Sequence, residues 1–103
     1  MELFGRALVG TVTGAEPLAG ARKPAYVLEI DFGAAGTKRS SAQITDLYSP
    51  TDLVGRQVVA LVDLGSKRIG GVVSECLVLG VQTPEGVVIL RPERACANGT
   101  EVF

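Results

Sequence analysis

Tyr26–Val27–Leu28–Glu29–Ile30–Asp31–Phe32 alternates side chain by side chain. Successive side chains of a strand point to opposite faces, so Tyr26, Leu28, Ile30 and Phe32 share one apolar face and Val27, Glu29 and Asp31 share the other. Gly33 to Gly36 follows as a tight turn, and Thr37 to Thr45 continues as a polar strand. Two such runs around a short glycine-containing turn form a hairpin.

Working outward, Arg6 to Thr13 is rich in β-formers, with Gly10 as the candidate bulge. Gly14 to Pro24 contains Pro17, Gly20 and Pro24 and reads as a loop. Downstream, Asp46 to Leu53 is interrupted by Pro50 and holds a helical turn or two at most. Gln57 to Val62 is a strand apolar on both faces, and Leu64 to Gly71 is a glycine-bounded basic loop. Val72 to Val81 and Gly86 to Leu90 supply further strands, and Asn98–Gly99 marks a last turn. The order is three strands, a short helix, then the remaining strands. That order predicts an all-β chain, a five-stranded OB-fold barrel with the helix between strands three and four. SH3-like barrels and sandwiches compete with it on pattern alone.

The chain has 103 residues and a mass of 10.7 kDa, which reads as one domain over residues 1–103. Surface scaling gives roughly 5,500 Å² folded against about 15,500 Å² extended, enough for a core without staples. Hydrophobic residues are 47% and charged residues 20%, which argues against disorder. No apolar run approaches the roughly 20 residues of a membrane span, and Met1–Glu2–Leu3–Phe4 does not resemble a signal peptide. The expectation is a cytoplasmic protein that does not insert into membranes.

Ten Lys and Arg against eleven Asp and Glu give a net charge of −1. This excludes a strongly basic domain and leaves room for a local basic patch. Histidine is absent, which removes the commonest general base and metal ligand. Cys76 and Cys96 form no CxxC, and with no His and only two Cys a four-ligand zinc site is not expected within one chain. They read as free thiols, Cys76 as an inert core residue and Cys96 as the more reactive one. Gly33 to Ser40 looks faintly like a phosphate loop, but it misses the required spacing and lies between strands. Glu29 and Asp31 read as a solvated strand face. No catalytic machinery is visible, and neither an enzyme nor a cofactor is expected.

The cations cluster as Arg22–Lys23, Lys38–Arg39 and Lys67–Arg68. On an OB barrel, strands two and three with the first and fourth inter-strand loops form the usual ligand face. The three doublets are therefore expected to converge there, beside Ser40, Ser41 and Gln43, whose side chains can hydrogen-bond phosphates, bases or a peptide backbone. Ordinary solvated charge is the competing reading. With aromatics at 5%, base stacking can contribute little.

Ala21–Arg22–Lys23–Pro24–Ala25–Tyr26, Ile30–Asp31–Phe32–Gly33, Ser40–Ser41–Ala42–Gln43–Ile44–Thr45 and Ser74–Glu75 before Leu77–Val78–Leu79–Gly80 resemble the CsaA family, within the tRNA-binding-domain group of OB-folds. The resemblance runs from about Val9 to Phe103. The wider group has Ser-Glu-Gly-Met where this chain has Ser74–Glu75–Cys76–Leu77. The resemblance implies a homodimer without catalysis that binds tRNA or tRNA-like RNA. It also implies export-related chaperone behaviour toward unfolded polypeptides, and it adds Ser74 and Glu75 to the candidate site. An RNA-binding module with no chaperone role is the alternative. Independently, Val58 to Val62 and Cys76 to Val81 are apolar on both faces, and a small barrel has one interior. A symmetric partner is the expected cover, with the short helix and C-terminal tail as the competing cover.

Overall fold

The computed structural model describes residues 5–64, 67–69 and 72–103, and of 67–69 and 72–73 the backbone alone. Nine strands are found among them: β1 (Arg6–Pro17), β2 (Tyr26–Asp31), β3 (Thr37–Ala42), β4 (Gln57–Val62), β5 (Lys67–Ile69), β6 (Val72–Ser74), β7 (Leu77–Val78), β8 (Gly80–Thr83) and β9 (Gly86–Ile89). A 3₁₀ turn, Gly33–Ala35, joins β2 to β3, and a short helix α1, Pro50–Leu53, lies between β3 and β4. Five strands form one curled antiparallel sheet in the order β3-β2-β1-β4-β7, the expected barrel-like arrangement. The β5–β6 and β8–β9 hairpins stand outside it.

Curling starts in β1. Its first half, Arg6 to Thr11, pairs with β4, and its second half, Thr11 to Pro17, pairs with β2. The register slips between Val12, opposite Ile30, and Gly14, opposite Glu29, leaving Thr13 as the extra residue. Such a bulge bends the strand and raises its twist. Two expectations are corrected here. The strand runs on to Pro17 where a loop was read from Gly14, and the bulge falls at Thr13 rather than Gly10. Gly10 serves close packing instead: a Cβ there would lie 2.6 Å from Ile30 Cγ2 and 2.7 Å from the Phe32 ring.

The free β3 edge of the sheet is laced by Ser74, the last residue of β6, and by Glu75 just after it. Glu75 N–H donates to Arg39 O at 2.8 Å, Arg39 N–H donates to Glu75 Oε1 at 3.1 Å, and Ser41 N–H donates to Ser74 Oγ at 3.2 Å. The single strand expected over Val72 to Val81 is therefore three, because residues 74–76 turn aside to close the barrel. The basic loop expected at Leu64 to Gly71 holds strand β5, antiparallel to β6.

Leu8, Val12, Leu28, Ile30, Phe32, Leu53, Val58 and Val62 fill the interior, each no more than 2% exposed. Leu53 reaches it from α1, whose start is set by Ser49: its Oγ accepts from Asp52 N–H and the Asp52 carboxylate accepts from Ser49 N–H. Those hydrogen bonds hold the Asp52 carboxyl below its ordinary range.

Cys76 is buried, and burial pushes its thiol up to about 11. Cys96 is half-buried on the C-terminal segment, and both are free thiols. A brief alkylation of native protein at mildly alkaline pH is expected to label Cys96 first, as mass spectrometry would read directly. Equal labelling would contradict the buried position of Cys76.

Candidate nucleic-acid interface

Two neighbouring depressions mark the outer face of β1, β2 and β3. One, of about 400 Å³, is lined by Gly20, Ala21, Arg22, Lys23, Ala25, Ser41 and Gln43. The other, of about 320 Å³, is lined by Gly14, Ala15, Glu16, Val27, Glu29 and Arg39. Val27 pairs with Ser41 across the β2–β3 ladder, and Glu29 pairs with Arg39. The depressions therefore follow one another along the two strands.

The chain builds this face by simple parity. Residues 39 and 41 of β3 project outward while Ser40 and Ala42 project into the core, where both are buried. The Thr13 bulge shifts the frame of β1 by one residue, so that Gly14 and Glu16 stand opposite the outward Glu29 and Val27. The 18–25 loop is held by Leu18 N–H donating to Ala25 O at 2.9 Å, and Arg22 and Lys23 on it are exposed.

The expected site residues separate into groups. Arg22, Lys23, Ser41 and Gln43 line one depression together, and Arg39 lines the next. The Lys38–Arg39 doublet is split, because adjacent strand residues face opposite sides. Lys38 pairs with the buried Ile30, and its charge is felt at Cys76. Ser40 is wholly buried, its Oγ within 3.5 Å of Ser41 O. Ser74 and Glu75 lace β3 to the barrel seam, with Ser74 Oγ also donating to Cys76 O at 3.2 Å. The side chains of Lys67 and Arg68 lie outside the described residues.

The electrostatics favour an anionic visitor at one end. Among the described residues, ion pairs join Arg6 to Asp63 at 2.8 Å and Arg94 to Glu93 at 3.7 Å. Arg22, Lys23 and Arg39 make none, although Glu29 stands directly opposite Arg39. The tyrosines are occupied elsewhere. Tyr26 OH donates to Tyr48 O at 2.7 Å, Tyr48 OH accepts from Ile89 N–H at 3.1 Å, and Arg56 sits 5.6 Å from the Tyr48 ring centroid. The side chains that line these two depressions are therefore charged, hydrogen-bonding or small and apolar, and none is aromatic.

Glu16, Gly14 and Ala15 were not singled out by the sequence, and Glu29 was read as plain solvated charge. The one available signal was the charge in Ala15–Glu16–Pro17 beside Gly14, which fits a loop as well as a strand.

A family model described as "Putative tRNA binding domain" matches residues 8–101. The methionine–tRNA ligase of Methanococcoides burtonii is 31% identical over 93 residues, 89% of this chain and 14% of that protein. That of Chlorobium chlorochromatii is 34% identical over 95 residues, 91% of this chain and 13% of that protein. The chain thus spans only 13–14% of the length of these curated relatives. Among solved structures, the chaperone CsaA of Bacillus anthracis str. Ames has a TM-score of 0.90 at 50% identity, covering 98% of this chain and 93% of its own. The CsaA chaperone protein of Picrophilus torridus has a TM-score of 0.91 at 37% identity, covering 95% and 91%.

Proposed function

Because this chain belongs to the tRNA-binding-domain family, alongside the CsaA proteins, we propose that it is a non-catalytic, cytoplasmic homodimer that binds tRNA or tRNA-like RNA and also holds unfolded polypeptides during protein export. The observation that carries the RNA reading is the set of cations Arg22, Lys23 and Arg39, which form no ion pair among the described residues, beside the hydrogen-bonding side chains of Ser41 and Gln43. Arg22 and Lys23 can meet phosphates without first breaking an ion pair, and phosphate contacts supply most of the affinity in such interfaces, while Arg39 stands ready for a neighbouring group of the same RNA strand. Lys67 and Arg68 are proposed to extend the basic surface beyond the two depressions, whereas Lys38 faces the other side of β3 from Arg39 and is left out of it. Ser40, Ser74 and Glu75 would act by holding β3 in place. The free thiols Cys76 and Cys96 accord with a reducing compartment.

The homodimer reading rests on apolar surface that the chain leaves open. The C-terminal segment takes part of the outer face: Gln57 Nε2 donates to Cys96 O at 2.6 Å, and Val9 N–H donates to Thr100 O at 2.9 Å. Further along, Leu77, opposite Leu61 on β4, is 49% exposed, and Val81 and Val88, paired on the β8–β9 hairpin, are 48% and 37% exposed. A symmetric partner would cover these side chains, and an unfolded segment could use the margins of the same surface.

Light scattering at micromolar concentration should give twice the 10.7 kDa of one chain; the mass of a single chain would remove the dimer. Purification at low salt tests the ligand. Co-purified RNA supports the RNA reading. Polypeptide alone, with no RNA bound at about 50 mM salt, would make the protein a chaperone first. RNA alone, with no protection of unfolded clients from aggregation, would leave a pure RNA-binding module.

A further inference from the structure

The two depressions differ in charge, and the difference sorts the parts of a nucleotide. The Arg22–Lys23 depression has cations and neutral hydrogen-bonding groups. Its neighbour carries the carboxylates of Glu16 and Glu29 beside Arg39, over the apolar side chain of Val27. A phosphate is welcome in the first and repelled by two carboxylates in the second. The part of an RNA strand that can enter the second is an uncharged base. The Val27–Ser41 and Glu29–Arg39 rows are two strand residues apart, about 6.8 Å along the ladder, a step of the order of one nucleotide.

Resting on the RNA reading above, we propose that Glu29 and Arg39 read an unpaired guanine held in this second depression. The two side chains leave neighbouring strands from directly opposed positions, so their Cβ atoms lie about 5 Å apart. Guanine alone among the bases offers two adjacent donors, N1–H and the exocyclic amine, next to two acceptors, O6 and N7. A carboxylate accepts from the donor pair, and a guanidinium fork donates to O6 and N7. Cytosine and adenine offer the carboxylate an amine but no second donor beside it, and uracil offers one N–H flanked by carbonyls. Arg39 is available for this because it forms no ion pair with Glu29 in the free protein. Single-stranded loops and ends, whose bases are splayed out, present these edges to a protein.

The test uses fluorescence anisotropy with labelled 12-nucleotide oligouridylates that carry one central guanosine, cytidine or adenosine. The wild-type protein should bind the guanosine oligonucleotide about tenfold tighter than the other two. Glu29→Gln, nearly isosteric and on an exposed position, should bring the three within about twofold while leaving the salt dependence with the same phosphate count. Arg22→Ala with Lys23→Ala should weaken all three alike and keep the preference. Equal wild-type affinity for the three probes overturns the proposal. So does a Glu29→Gln variant that binds all three more tightly with its preference intact, since the carboxylate would then be only a repulsive charge. Either result leaves RNA binding itself standing. Failure of the wild type to bind any RNA at about 50 mM salt, tRNA included, removes the RNA reading and this inference together.

Discussion

Arg22→Ala combined with Lys23→Ala should weaken tRNA binding by about tenfold to a hundredfold near 0.1 M salt and flatten the salt dependence by roughly one to two units. Each phosphate contact releases condensed counterions, which gives a slope of about −0.9 per contact on duplex RNA regions and about −0.7 on single strands. Both side chains are exposed on the 18–25 loop and line one depression. Neither belongs to the core, so the fold should be untouched and melting should barely change. The control is Arg91→Ala with Arg94→Ala, on the segment after β9. Both are exposed, and Arg94 is loosely paired with Glu93. A slope flattened equally by the control pair would mean that charge anywhere on the chain serves, and the face would be wrongly assigned. Isothermal or anisotropy titrations at four or more salt concentrations decide between these outcomes.

Phe32→Ala should cost about 3–5 kcal/mol of folding stability. A domain of this size has roughly 5–15 kcal/mol in total, so the variant is expected to melt at least 10 °C lower or to be partly unfolded at room temperature. Phe32 is wholly buried, and its ring lies against the backbone at Gly10, too close for any side chain there. Removing the ring leaves a cavity between β1 and β2 that the sheet cannot collapse to fill. Leu77→Ala provides the contrast. The side chain is half exposed on β7, so the cost within one chain should stay below about 1 kcal/mol. A fall in apparent mass together with that small cost would locate Leu77 in the proposed dimer interface. A loss below about 1 kcal/mol for Phe32→Ala would contradict the core described here. Circular-dichroism melts of both variants are sufficient.

The strands that carry the site were legible because their pattern is local. Alternation from Tyr26 to Phe32 is a property of neighbouring residues, and the structure keeps Tyr26, Leu28, Ile30 and Phe32 buried and Glu29 outward. A short helical piece within Asp46 to Leu53 was legible, but Pro50 starts the helix rather than interrupting it, with Ser49 and Asp52 forming the cap. Less legible was the fate of polar residues in β3. Thr37 to Ala42 alternates too weakly in polarity to say which face each residue takes. Ser40 went inside because its partner Leu28 points inside.

By itself the sequence determined the β-rich class, the hairpin of β2 and β3, the inward identity of the large apolar residues and the local concentration of cations in doublets. These follow from chain-local periodicity and turn chemistry, which any fold must respect. The tertiary structure alone decided which cations share a face. Pairing register is set by contacts between residues far apart in the chain, and one extra residue reverses every side chain beyond it. The Thr13 bulge turned Glu16 outward to stand opposite Val27, next to the Glu29–Arg39 pair, and the strand pleat sent Lys38 and Arg39 to opposite sides. The lacing of β3 by Ser74 and Glu75 was equally invisible beforehand. It joins the two edges of a sheet whose curvature arises only when all its strands are present.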